Sequence, residues 1–147
     1  MEANDLNDIY TELVMEHSAN SPYKHDLDSA NCSLHGHNPN CGDDITLKLE
    51  FKDDKIADAS FVGQGCAISQ SSTSIMIDTL RGKTLTEAKN IIAIFLKMIR
   101  RESLTNEEKE LLKDSIAFEN ISNMPARVKC VELAWRTLDD MLNKKNI

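Results

Sequence analysis

Cys41, Asp43, Cys66 and Cys130 are the side chains of this 147-residue chain whose types and placement best suit chemistry. Cys41 lies in Asn38-Pro-Asn-Cys-Gly-Asp43, at the entrance to an alternating segment. Cys66 ends Gly63-Gln-Gly-Cys, where that kind of segment gives way to a helical pattern. Cys130 ends Ala126-Arg-Val-Lys-Cys, in the first turns of the last predicted helix. Element ends and loops are where reactive groups are usually mounted. Two of the three thiols fall near predicted helix N-termini, where the backbone dipole favours a thiolate.

Asp43 adds an oxygen donor. If the alternation of the following strand extends backwards, positions 41, 43, 45, 47 and 49 share one face, and that face is apolar. A carboxylate there is costly unless it is paired with a cation or a metal. Cys41 and Asp43, two residues apart on one strand edge, could point at a common ion. With Cys66 and Cys130 they make three sulfurs and one oxygen, a tetrahedral set suited to zinc. Thiolate-rich ligation also suits an iron–sulfur centre. Spacing alone leaves two other readings open: buried cysteines often fill cores, and Asp43 could cap a turn or bond the glycine loop. The Cys-x-x-Cys pairs of an ordinary zinc finger are missing.

The remaining candidates read more simply. His35 and His37 precede Cys41 and could ligate a metal, but they suit a surface loop. His17 reads as structural and His25 as a loop residue. Cys32 has no suggestive neighbour. The run Ser69 to Ser74 resembles a reactive cluster, yet it brings no paired base and reads as helix packing. Trp135 reads as core. Arg127 and Lys129 flank Cys130, where they are either solvated or hold an anion or carboxylate.

These residues must be positioned by helices and a small sheet. Leu6, Ile9, Tyr10, Leu13 and Val14 fall on one stripe and predict a helix over residues 5–18. A short edge strand is expected over 30–35. Ile45, Leu47, Leu49 and Phe51 alternate with Thr46, Lys48 and Glu50, the pattern of a half-buried strand. Asp53-Asp54 is the turn of a hairpin returning over 55–62, and Gly63-Gln-Gly65 ends it. A helix over 66–80 follows, with Ala67, Ile68, Ser71, Ile75, Met76 and Thr79 inward and a cap at Arg81-Gly82. Thr84 and Glu87 form a capping box for a helix over 85–99. Thr105 opens a shorter charged helix, residues 115–124 are irregular, and a last helix spans 125–144 with Val131, Ala134, Trp135, Leu138 and Leu142 inward. The order predicts an α+β fold, a small antiparallel three-stranded sheet packed by helices, in one domain over residues 1–147.

Composition bounds the partners. The net charge of −7 argues against phosphate-backbone binding, which needs a basic face. No apolar run approaches a membrane span, and Met1 to Asn7 is too polar for a signal peptide, so a cytoplasmic location is the default. In a reducing compartment four cysteines are poor disulfide candidates.

Taken together, Asn38-Pro-Asn-Cys-Gly-Asp43, Gly63-Gln-Gly-Cys-Ala-Ile-Ser69 and Pro125-Ala-Arg-Val-Lys-Cys130, followed by Leu133-Ala-Trp135, resemble the SufU/IscU family of iron–sulfur cluster assembly proteins, whose domain is the NifU N-terminal type. The resemblance runs from the first helix to the last and is closest to the SufU branch. The segment between Cys66 and Cys130 is longer than in IscU-type members. Lys129 stands where those carry a histidine, and Met124-Pro-Ala-Arg-Val128 does not reproduce their chaperone-binding motif. The resemblance implies a SufE/NifU-like fold and a zinc-dependent sulfurtransferase serving a PLP-dependent cysteine desulfurase of the SufS kind, alongside other Suf assembly proteins. It implies that zinc is held by Cys41, Asp43, Cys66 and Cys130. A desulfurase histidine would displace Cys41, which then accepts persulfide sulfur; Arg127 would orient Asp43 or the incoming sulfur. The same resemblance admits a scaffold that assembles and passes on a transient 2Fe–2S cluster. A structural zinc domain without turnover is the third alternative.

Overall fold

A computed structural model describes residues 12–39 and 42–144. Cys41, Asn40 and residues 1–11 and 145–147 lie outside the described residues, and with them most of the helix expected over 5–18. Its described part is helix α1, Glu12–Ala19. Strands β1 (Cys32–Asn38), β2 (Asp43–Lys52) and β3 (Lys55–Gln64) follow, then helices α2 (Ala67–Leu80), α3 (Leu85–Ile99), α4 (Asn106–Leu112) and α5 (Pro125–Lys144). Two short 3-10 helices, Lys113–Phe118 and Ile121–Asn123, occupy the segment expected to be irregular.

The strands form an antiparallel sheet in the order β1-β2-β3, the α+β architecture that the pattern predicts. Asp53 and Asp54 both take positive φ, 55° and 62°. That conformation matches the right-handed twist of a two-residue hairpin, and aspartate tolerates it. Along β2, residues 43, 45, 47 and 49 are buried while their neighbours are partly exposed. Period-two alternation therefore begins at Asp43, as expected.

Three expectations need correction. The edge strand is Cys32–Asn38, later and longer than 30–35. Its signal was weak because Ser33, His35 and His37 face solvent and the buried positions carry Gly36 and Asn38 instead of large apolar residues. The return strand runs on to Gln64, because Gly63 adopts φ 121° within it. A Cβ at Gly63 would collide with the Asp44 carbonyl oxygen, so the pairing of Gly63 with Ile45 needs glycine. Helix α2 begins at Ala67, with Cys66 as its N-cap, and is buried on nearly every side instead of along a narrow face. Ala67 itself is partly exposed. Small hydroxyl residues let this helix sit centrally: Ser72, for example, donates to the Val131 carbonyl at 2.6 Å and accepts from Trp135 Nε1 at 3.0 Å.

The last helix has the predicted bounds, and Val131, Ala134, Trp135, Leu138 and Leu142 are all buried. Trp135 stacks on Phe95 of α3, ring centroids 3.8 Å apart. The expected capping box forms at Thr84 with Glu87, and a second one forms at Thr105 with Glu108. Helix α5 crosses close to β1, because a Cβ at Gly36 would lie 2.5 Å from Thr137 Oγ1. No helix of the described residues is long and apolar enough to cross a membrane.

Candidate metal centre

Three of the four predicted donors are described, and the fold brings them to one corner. Asp43 is the first residue of β2, Cys66 caps α2, and Cys130 lies in the second turn of α5. One carboxylate oxygen and the two sulfurs all lie within 4.8 Å of one another. Sequence separations of 23 and 64 residues, from Asp43 to Cys66 and from Cys66 to Cys130, are thus closed by the sheet and the α2–α5 packing. Cys41, the expected fourth donor, lies outside the described residues.

Asp43 is 0% exposed and Cys130 1%, while Cys66 is partly exposed, so a carboxylate lies out of contact with solvent and needs partners within the protein. Part of its compensation is visible: the Cys66 backbone N–H donates to Asp43 Oδ1 at 2.9 Å. Asp43 thus bonds the residue that directly follows the glycine loop, and because a carboxylate has two oxygens this leaves one that could meet an ion. Gly65 makes the approach feasible, since a Cβ there would lie 2.7 Å from Asp43 Oδ1. The Ser69 backbone N–H in turn reaches Cys66 Sγ at 3.4 Å, placing a donor on the sulfur from the first turn of α2.

The donor set fits a thiophilic divalent ion. Two sulfurs and one carboxylate oxygen supply three corners of a tetrahedron, with zinc–sulfur bonds of about 2.3 Å and zinc–oxygen bonds of about 2.0–2.2 Å. A separation limit of 4.8 Å needs only small side-chain adjustments to reach those lengths. A buried carboxylate beside two sulfurs is also hard to explain as core filling.

The other sequence candidates lie elsewhere. His35 is exposed, with Nε2 2.7 Å from Asp44 Oδ1, and its ring stacks on His37 at 6.2 Å. Both line an open groove of about 530 Å³ between β1 and α5, together with Lys129 and Arg136, and do not join the sulfur corner. Cys32 pairs with Leu49, at the far end of the β1–β2 ladder from the Asn38–Asp43 pair. His17 Nδ1 meets Ser74 Oγ at 2.6 Å, a packing role as expected, and His25 Nδ1 lies 2.5 Å from the Asp26 carbonyl oxygen. Arg127 is half-buried on the first turn of α5, three residues before Cys130. Lys129 is exposed. Two neighbours of the corner carry no site role in the sequence analysis: Gly65, whose missing side chain admits the carboxylate, appears there only within the glycine loop, and Ser69, which borders the same gap, only as helix packing. Gly65 was legible in principle, because a glycine directly before a candidate ligand often marks close backbone approach.

Residues 9–131 match the family model described as the NifU-like N-terminal domain. The chain belongs to that family. It is 38% identical to the iron–sulfur cluster assembly scaffold protein IscU of Thermotoga maritima, over 92% of this chain and 94% of the relative. It is 32% identical to the zinc-dependent sulfurtransferase SufU of Bacillus subtilis, over 96% and 94% respectively. Its fold superposes on a crystal structure from Fervidobacterium islandicum, described as a candidate iron–sulfur cluster assembly scaffold protein for the SUF system, with a TM-score of 0.85 and 37% identity. That match covers 91% of this chain and 96% of that one. The SufU/IscU resemblance of the three cysteine motifs is therefore one of family.

Proposed function

We propose that this NifU-like domain works in iron–sulfur cluster assembly as a zinc-dependent sulfurtransferase that accepts persulfide sulfur from a PLP-dependent cysteine desulfurase. The observation that carries this is the buried corner where Asp43, Cys66 and Cys130 place their donor atoms within 4.8 Å of one another. The name of the Bacillus subtilis relative supports the same chemistry.

Asp43, Cys66, Cys130 and Cys41 would hold zinc, which when bound keeps a ligating thiol deprotonated. The residues of the chain do the rest. Cys66 and Cys130, fixed on helices packed to each other through Ser72, stay in place as ligands. Cys41 is the sulfur acceptor: its thiolate attacks the outer sulfur of the desulfurase persulfide. The donor's sulfur–sulfur bond breaks, the desulfurase cysteine leaves as thiolate, and Cys41 carries the new persulfide. Arg127, close in sequence to Cys130, would orient Asp43 or hold the anionic incoming sulfur.

The test mixes the protein with its host's cysteine desulfurase and cysteine, and follows both turnover and the mass of each cysteine peptide. Persulfide on Cys41 and faster desulfurase turnover, both lost in Cys41→Ala, are the expected result. Absence of any stimulation would sink the proposal. Native protein should also carry about one zinc per chain. The name of the Thermotoga maritima relative favours the second reading, a scaffold holding a transient 2Fe–2S cluster on the same donors. Iron and sulfide in place of zinc, transferable to an acceptor protein, would decide for it.

A further inference from the structure

We infer that the Ser69 hydroxyl is a positioning donor for the Asp43 carboxylate when this corner holds its ion, a role that rests on the metal site proposed above. Ser69 is 1% exposed, and its Oγ has no hydrogen-bond partner. The other hydroxyls of the same helix are used. Ser71 donates to the Ile68 carbonyl, Ser72 to Val131, and Thr73 to the Ser69 carbonyl, while Ser74 meets His17 and Ser21.

A helical serine ordinarily bonds back to the carbonyl three or four residues earlier. For Ser69 those belong to Cys66 and Gly65, both of which accept from Gln70, and Ser69 Oγ bonds neither. The Gln70 backbone N–H reaches the Cys66 carbonyl at 3.0 Å, and Gln70 Nε2 reaches the Gly65 carbonyl at 2.8 Å. The hydroxyl instead borders the gap left by the missing side chain of Gly65. From the point where that Cβ would stand, Ser69 Oγ is 3.3 Å away and Asp43 Oδ1 is 2.7 Å away. Hydroxyl and carboxylate thus share one small buried space. A ligating carboxylate is normally fixed by donors of this kind, and removing one weakens metal binding about 10–100-fold.

The energetic signature is specific. Without an ion, Ser69 Oγ is a buried group lacking a partner, so its removal does not destabilise the fold. With an ion bound, its removal loosens Asp43. The experiment measures zinc affinity by competition with a chromogenic chelator, and thermal unfolding with zinc and with EDTA, for the full chain, Ser69→Ala and Ser71→Ala. For Ser69→Ala we expect zinc affinity about 10–100-fold weaker, an EDTA-treated melting temperature unchanged or raised, and a smaller gain on adding zinc. Ser71→Ala should leave zinc affinity unchanged. Unaltered affinity in Ser69→Ala would overturn the role. So would equal falls in melting temperature with and without zinc, the mark of a packing residue. Failure of the unsubstituted chain to take up zinc would instead remove the metal site itself, and this role with it.

Discussion

One face of β2 is built by opposite rules at its two ends. Toward the hairpin, Leu49 sits among Ile56, Ala59, Met76, Leu80 and Leu138, all apolar and all buried. The chain there is tied down by main-chain bonds: Ile56 N–H donates to the Lys83 carbonyl and Leu85 N–H to that of Asp54, both at 2.9 Å. Three alternations earlier, the same face presents Asp43, two sulfurs and an idle hydroxyl. The first end maximises burial of apolar surface. The second keeps polar groups dry where apolar ones would be more stable, and such departures from local consistency are expected where function is mounted.

The sharpest way to break this contrast is to damage each end and ask whether zinc matters. Leu49→Ala should cost up to about 5 kcal/mol in urea unfolding, by lost transfer energy plus a cavity. That loss should be the same with and without zinc. Dependence on zinc at this distance would mean that the two ends are not separate.

Removing the ion probes the other end. At free zinc about a thousandfold above the dissociation constant, the protein should gain about 4 kcal/mol over its EDTA-treated form. Asp43→Asn keeps an oxygen to accept from the Cys66 N–H. It should therefore melt close to the unsubstituted chain in EDTA and lose most of the zinc-dependent gain. A large fall in EDTA would make Asp43 a structural acceptor above all.

The smallest effect concerns acid. The backbone N–H of Thr84 holds the Glu87 carboxyl below its ordinary value of 4.5, and that of Thr105 does the same for Glu108, with Lys97 adding to it. A depressed carboxylate stabilises the fold above its unfolded value, and the stabilisation is lost as pH falls through the lower folded value. Glu87→Gln should flatten the fall in stability below about pH 4.5, leaving the zinc-dependent gain at neutral pH untouched.

The same contrast explains what could be read from the sequence. The hairpin end was legible because it follows rules with short range: alternation from Ile45 to Phe51, Asp53-Asp54 at the turn, and the Thr84–Glu87 box. The donor corner was legible only through its exceptions. Asp43 on an apolar face, and cysteines at element ends, pointed to one site, and the fold brings Asp43, Cys66 and Cys130 together. The length of β1 was not legible, because an edge strand with one solvated face and a glycine on the other carries almost no hydrophobic signal. Nor was the burial of α2, whose serines and threonines look polar until their hydroxyls find carbonyls in the core. Ser69 passed for one of that set, since a helical pattern does not distinguish a hydroxyl that bonds back to its own helix from one that does not.

The bonds that Ser72 makes to Val131 and Trp135 bear on more than packing. They join α2 to α5 within two turns of Cys66 and one residue from Cys130, deep in the interior. The gap between the two sulfurs is therefore tied to the packing of these two helices and not to an ion alone. An ion bound there, as proposed, would find Asp43, Cys66 and Cys130 already close together, and ordering those three would oppose its capture little.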